Sequence, residues 1–319
     1  MVRFVFSVED LARTRFAISP ISELTHSLLA WRDPSHAALH VPWLRSLSGK
    51  LDGLALERAV LLTPGRGYTP DFLAPPPAGP LGSIADDLAA LRATPLAQVR
   101  DEMRLFGSQH ARADVSAWRE DPGRELRALA DLFEAYWERA LAPVWARVRA
   151  FLDADIAYRA RRLASGGPDA LFSDLGVAVS WAPPQLDVAV PTHDATIQLA
   201  GRGLVLMPSA FSARTFVIDR EPWRPTVIYP ARGIATLWEE AAPARDGLAR
   251  LVGASRAAVL ADLGAPRSTS ELAERLTLSP ATTSHHLTAL RDAGLVTGRR
   301  EGRAVLYVRT PLGDALVAT

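Results

Sequence analysis

Two adjacent histidines, His285 and His286, stand in the stretch LTLSPATTSHHLTALRDAG, Leu276 to Gly294. Imidazoles ligate metals, shuttle protons or touch phosphate, so this pair could mark an enzyme, a metal sensor or a DNA reader. Neighbours on a helix point about 100° apart, however, and cannot share one ligand on one face. Two more histidines, His36 and His40, lie four residues apart with Asp33 and His26 nearby. On a helix that spacing places two imidazoles on one divalent ion, but no fourth ligand is evident. Capping or packing beside Trp43 is therefore the preferred reading. The pair Asp153-x-Asp155 reads as a solvated helix face rather than acid–base machinery. Cysteine is absent, which removes disulfides, thiolate metal sites and cysteine nucleophiles. The glycine loops PGRGYTP and GRGLVL are incomplete, and no G-x-S-x-G, P-loop or H-E-x-x-H occurs. The expectation is a protein with no catalytic residues, no metal and no cofactor, that is, not an enzyme.

The elements that must position His285 and His286 are more informative. Ser268, three residues before Glu271, forms a capping box for a first helix, Thr269 to Leu276. TLS is a three-residue turn, after which Ser279 caps a second helix, 279–293, with Pro280 at its first position. Thr283, Leu287 and Leu290 fall at i, i+4 and i+7 and fix its buried face. Ala281, Thr282, Ser284, His285 and Thr288 are left on the opposite face, and Gly294 ends the helix in a left-handed cap. Strands Leu295–Thr297 and Ala304–Val308 follow, joined by the basic turn GRREGR at 298–303. With a preceding helix over Gly253–Leu263, these elements make a winged helix-turn-helix.

A major groove admits a helix whose outer face is small and polar, because bulky side chains would hold the backbone off the base edges. Five arginines against Asp292 and Glu301 give residues 279–309 a local charge of +3 in a chain of net charge +1. The expected DNA-contacting residues are Ser279, Ala281, Thr282, Ser284, His285, Thr288 and Arg291 on the helix. Arg299, Arg300 and Arg303 on the wing would reach flanking phosphates or a narrow minor groove. His285 falls on the reading face, where protonation would strengthen its contact. His286 falls at the edge of the buried face, where packing and an internal hydrogen bond are expected.

The tract SELAERLTLSPATTSHHLTALRDAGLVTGRREGRAVLYV resembles the winged helix of ArsR/SmtB-type bacterial transcriptional regulators, over about the last fifth of the chain. The resemblance implies a homodimer on double-stranded operator DNA, usually a repressor released by an effector. Two departures matter. SELAERL lacks the cysteine pair of the family's metal sensors, and TPLGDALVAT lacks the Asp/His set that others carry after the wing. The short tail is also expected to lack the family's closing helix, which moves dimerisation to the upstream domain.

A chain of 319 residues suggests two domains, placed here at 1–242 and 246–319 around the small-residue linker EEAAPARDG. With 48% hydrophobic and 22% charged residues the composition is globular. No apolar run reaches the roughly 20 residues of a membrane span, and the N-terminus lacks a secretory cleavage pattern, so no membrane partner and a cytoplasmic location are expected. Upstream, Val2–Ser7 reads as a strand, Ser7, Ser19 and Ser83 as helix caps, and Leu62–Gly82 as loop. Helical periodicity over Gly123–Leu163 is expected to break or kink at Pro143. Short valine- and isoleucine-rich segments between 177 and 229 read as a small antiparallel sheet. The fold class is therefore α+β, a mainly helical N-terminal domain with a small antiparallel sheet, followed by the winged helix. Segments RDPSHAALHVPWL and GLVLMPSAF resemble a domain found ahead of such winged helices in some actinobacterial regulators, which names no ligand. Most of the eight tryptophans are expected in the core, and some are candidates to line an apolar pocket for a small-molecule effector. The alternatives are an enzyme, or a protein-interaction module, with an accessory winged-helix tail. The first lacks a catalytic constellation, and the second leaves the basic wing unexplained.

Overall fold

Ser7 accepts a hydrogen bond from the Asp10 amide while the Asp10 carboxylate accepts from the Ser7 amide, closing a capping box between β1 (Val2–Val5) and α1 (Val8–Arg13). The computed structural model describes residues 1–190, 193–239, 244–301 and 304–318. The chain divides into two units, Met1–Trp238 and Glu239–Thr319. Part of the linker EEAAPARDG lies outside the described residues.

In the first unit β2 (Arg15–Phe16) leads to α2 (Pro20–Ser27), which starts where Ser19 accepts from the Ser22 amide. Helices α3 (Pro34–Leu39), α4 (Val41–Ser46) and α5 (Leu56–Leu62) are short. After the proline-rich loop, Ser83 caps α6 (Ile84–Arg92), followed by α7 (Leu96–Gln109) and α8 (Ser116–Glu120). The long apolar face of α9 (Pro122–Tyr136) packs into the helical core through Leu126, Leu129 and Phe133. The chain leaves α geometry just before Pro143, through a π turn at Trp137–Leu141 and a 3-10 turn at Ala142–Val144, before α10 (Trp145–Phe172) begins.

Strands β3 (Val179–Ala182), β4 (Gln185–Val188), β5 (Ala195–Gln198), β6 (Val205–Ser209), β7 (Phe216–Ile218) and β8 (Thr226–Pro230) fall near the expected segments. The expected antiparallel pairs are present, β3 with β4, β4 with β1, and β7 with β8. Parallel pairs join them, β1 with β5, β2 with β6, and β6 with β8. The result is two four-stranded sheets, ordered β3-β4-β1-β5 and β2-β6-β8-β7. Every residue of β6 is buried, with Leu206 in one core cluster and Val205 and Met207 in another, so this strand is covered on both faces. The class is the expected α+β.

One expectation for this unit is corrected. Asp155 is buried rather than solvated: it accepts from Arg159 Nε at 2.8 Å, Tyr229 Oη at 3.0 Å and the Arg232 amide at 3.1 Å. Only Asp153 sits outside, 3.7 Å from Arg149. Of the eight tryptophans, Trp43, Trp118 and Trp137 are buried, Trp145, Trp181, Trp223 and Trp238 are partly buried and packed against the core clusters, and Trp31 alone is exposed. A ring with one polar edge is often left half-covered.

The second unit runs α11 (Ala244–Val252), α12 (Ala254–Asp262), β9 (Arg267–Ser268), α13 (Thr269–Arg275), α14 (Pro280–Asp292), β10 (Val296–Glu301), β11 (Ala304–Arg309) and α15 (Pro311–Ala318). Strands β10, β11 and β9 form an antiparallel sheet in that order. One apolar cluster, including Leu260, Leu272, Leu287 and Leu290, holds the helices together. The tail does carry a closing helix, α15. Gly313 makes its approach feasible, because a Cβ there would lie 2.1 Å from the Leu295 carbonyl oxygen.

Candidate nucleic-acid interface

Helix α13 is fixed at both ends by local chemistry. Ser268 and Glu271 form the expected capping box. At the other end Thr277 takes a left-handed conformation, φ 56°, with its amide and that of Leu278 closing on the Glu274 and Ala273 carbonyls. A β-branched residue in that region is strained by roughly 1–2 kcal/mol. Asp262, at the end of α12, takes the Arg275 guanidinium through two bonds of 2.8 and 2.9 Å, with Arg267 3.1 Å away. The Arg275 guanidinium holds the Asp262 carboxyl below the usual carboxylate range. This pairing anchors the first helix of the motif to the scaffold.

The second helix, α14, starts where Ser279 accepts from the Thr282 amide at 3.1 Å. It ends in a Schellman turn, with the Gly294 and Leu295 amides bonding the Arg291 and Leu290 carbonyls and Gly294 at φ 72°. Thr283, Leu287 and Leu290 are buried, and the Thr283 hydroxyl donates to the Ser279 carbonyl at 3.0 Å. Ser279, Ala281, Thr282, Ser284, His285, Thr288 and Arg291 are all exposed. At 100° per residue they do not form one row. Ala281, His285, Thr288 and Asp292 make the outermost row, while Thr282 flanks it on one side and Ser284 with Arg291 on the other. The acidic Asp292 ends the row, so its N-terminal half is the part suited to a polyanion. The Thr282 hydroxyl lies 2.8 Å from that of Ser279, an arrangement in which one hydroxyl proton of the pair remains for an outside acceptor. Arg291 is 3.5 Å from Asp292.

The wing differs from expectation in where its strands end. Strand β10 continues through Arg299, Arg300 and Glu301, so the two arginines lie in the ladder rather than in a turn. Arg299 pairs with Leu306 and Arg300 with Val305, and successive side chains leave a strand on opposite faces. The two exposed guanidiniums therefore point to opposite sides of the hairpin. Arg303 lies outside the described residues. Arg309, counted among the local positive charges, is taken by Asp314 at 2.7 Å and by the Leu260 carbonyl at 3.3 Å. Among the described residues Arg299 and Arg300 make no ion pair, in contrast to Arg267, Arg275 and Arg309.

His285 is exposed, and His286 is half-buried against the α12 side, its ring centroid 6.0 Å from that of His285. The expected internal hydrogen bond is not made, and His286 Nδ1 is buried without a partner. Burial, with Arg256 and His285 nearby, pulls its pKa down. Upstream, His40 Nδ1 accepts from Trp238 Nε1 at 3.0 Å and its ring stacks 4.7 Å from Phe211. The His36 ring is 5.1 Å away. Among the described residues no group of three or more His, Asp or Glu converges on a metal position.

An exposed, capped, small-residue helix over a dry apolar core, followed by a two-stranded wing, defines a winged helix-turn-helix domain. A helix-turn-helix domain model matches residues 254–299, from α12 into β10. The solved structure of reduced HlyU from Vibrio cholerae N16961 is 32% identical, over 24% of this chain and 83% of that one, with a TM-score of 0.21. No curated protein matches the chain. The C-terminal unit is a helix-turn-helix domain, which supports a DNA-binding regulator.

Proposed function

We propose that the chain is a dimeric transcriptional repressor of the ArsR/SmtB type, with α14 in the major groove of operator DNA and the β10–β11 wing on flanking DNA. It works in the cytoplasm without catalysis, and its N-terminal unit receives a small-molecule signal. The observation carrying DNA reading is the exposed row Ala281, His285 and Thr288 on a helix whose opposite row is fully buried. A helix surface of that kind brings backbone and short polar groups to base edges.

Dimerisation no longer needs to be assigned to the N-terminal unit, since α15 is present. Leu251 on α11 and Leu312 on α15 are 72% and 56% exposed, an apolar surface that a second copy would cover. The test is enrichment of sheared genomic DNA by the purified full chain at moderate salt, followed by footprinting of the recovered fragments. A small set of fragments with two half-sites about 10–10.5 base pairs apart, or a multiple of that, is expected. Recovery of random fragments alone would contradict sequence reading, and a single unrepeated half-site would contradict the dimer.

A further inference from the structure

The N-terminal unit contains a cavity of about 380 Å³ between α2, the loop 67–74, α7 and strands β7 and β8. That is the small end of ligand pockets, which span roughly 300–1,000 Å³, so the occupant is a small molecule rather than a peptide. Much of the wall is apolar, with Leu73, Leu105, Phe216 and Ile228 among its lining residues, and no tryptophan contributes. The polar lining includes several ionisable groups. Tyr68 Oη lies 3.3 Å from Asp71 Oδ2. Burial and the neighbouring Glu102 and Asp219 push the Asp71 carboxyl well above its ordinary range. Asp219 accepts from His193 Nε2 at 2.7 Å, and both Asp219 and Arg220 lie near enough to Asp71 to act on its charge. His26 is fully buried and neutral, its pKa pulled down to about 4.

Arg214 is the group left over. Its guanidinium lies 4.5 Å above the Phe216 ring and donates only weakly to the Pro64 carbonyl, at 3.5 Å. Among the described residues it has no carboxylate partner, and burial beside Arg66 pulls its pKa down. Asp219 is held by His193 and Arg220 lies beside Asp71, which leaves Arg214 as a lining cation with no carboxylate of its own among the described residues, next to an aromatic face. A half-buried cation without a counter-ion is costly and is relieved by an anion that brings its own apolar body.

We propose that this cavity binds a small organic monocarboxylate, with the carboxylate on Arg214 and the apolar body against Phe216 and Ile228. A carboxylate matches one guanidinium in charge and in two-point geometry, whereas a phosphate ester near −2 would leave charge buried. Its action as the effector rests on the regulator reading above; the binding does not.

The test is calorimetric titration of the full chain with phenylacetate, indole-3-acetate and octanoate, each against its neutral amide. At least one carboxylate binds and its amide binds at least tenfold more weakly. Arg214→Met, which leaves no orphaned carboxylate behind, lowers carboxylate affinity at least tenfold, and Arg214→Lys retains part of it. Ile228→Trp, which fills the cavity, abolishes binding with the helical circular-dichroism signal unchanged. Binding of none of the three at millimolar concentration, or equal binding of acid and amide, overturns the proposal. DNA affinity is measured in parallel: carboxylate binding without change in DNA affinity leaves the cavity assignment standing and removes only the effector role.

Discussion

The two units handle polar side chains in opposite ways. The N-terminal unit buries Asp10, Glu23, His26, His36, His40, Asp71, Asp87, Glu102, Glu125, Asp155 and Arg159. Among the described residues of the C-terminal unit, Thr283 is the one buried polar side chain, and its hydroxyl is satisfied within its own helix. Burying an ionisable group costs free energy unless a partner offsets it, so a unit that does this repeatedly spends stability on arranging groups inside. A domain that reads a polyanion gains nothing from an interior of that kind. It needs a dry core that holds one helix in place and donors left on the outside. The contrast separates a unit suited to enclosing a ligand from one suited to surface recognition.

The strongest way to break this contrast is to disturb the dry core. Leu287→Ala removes a fully buried side chain and costs about 2–5 kcal/mol, read as hydrogen-exchange protection lost across α12 to α14. Equal loss of protection throughout the N-terminal unit contradicts the division into two cores.

A second variant probes the wet interior. Burial raises the Glu23 carboxyl to about 7, against which hydrogen bonding from Ser209 and from the Ala210 amide, 2.9 Å away, works only partly. The folded chain thus keeps a proton that the unfolded chain releases near pH 4.5, and stability falls as pH rises from 4.5 to 7. Glu23→Gln removes that loss, stabilising the chain by about 3 kcal/mol at pH 8 and by little at pH 4. His26 acts with the opposite sign, since its folded pKa of about 4 makes stability fall as pH drops from 6.5 toward 4. Denaturant midpoints across this range check both, and an unchanged pH profile in the Glu23→Gln variant contradicts the account of Glu23.

On the surface of α14, Thr282→Ala changes preference at one operator position by roughly 1–3 kcal/mol if its contact is direct, measured by competition among single-base variants of the enriched duplex. A uniform loss over all bases would assign Thr282 to positioning instead. The smallest effect concerns the wing. Because Arg299 and Arg300 leave opposite faces, Arg299→Ala and Arg300→Ala are expected to be unequal. One reduces the slope of log affinity against log salt by about one, and the other by much less. Equal reductions would contradict the opposed geometry.

The dry unit was legible in the sequence and the wet one was not, for a physical reason. Capping serines, Pro280, Gly294 and the spacing of Thr283, Leu287 and Leu290 are local signals, and each element they specify is observed. Even there the non-local features escaped: Arg299 and Arg300 continue the strand, and Pro311–Ala318 folds as α15. Thr277 in a left-handed turn carries no signal in its residue type. Upstream, the three serine caps were readable, as was the break at Pro143. The parallel pairing of β1 with β5 joins residues almost 200 apart, and Asp155 meets Tyr229 from 74 residues away. Such groups meet only through the completed topology, so Asp-x-Asp on a helix looked solvated. Arg214 carries no local signal for the same reason, because what matters is the partner it lacks.

The central claim is that the exposed row of α14 reads base edges. The most direct measurement is the ratio of affinities for an enriched genomic duplex and its scrambled counterpart, at one salt concentration, for the parent chain and for His285→Ala/Thr288→Ala. The parent ratio is expected to reach about 10³ or more, and the double variant to lose at least tenfold of it while affinity for the scrambled duplex is unchanged. A parent ratio near one, or an equal loss on both duplexes, would contradict base reading by this helix.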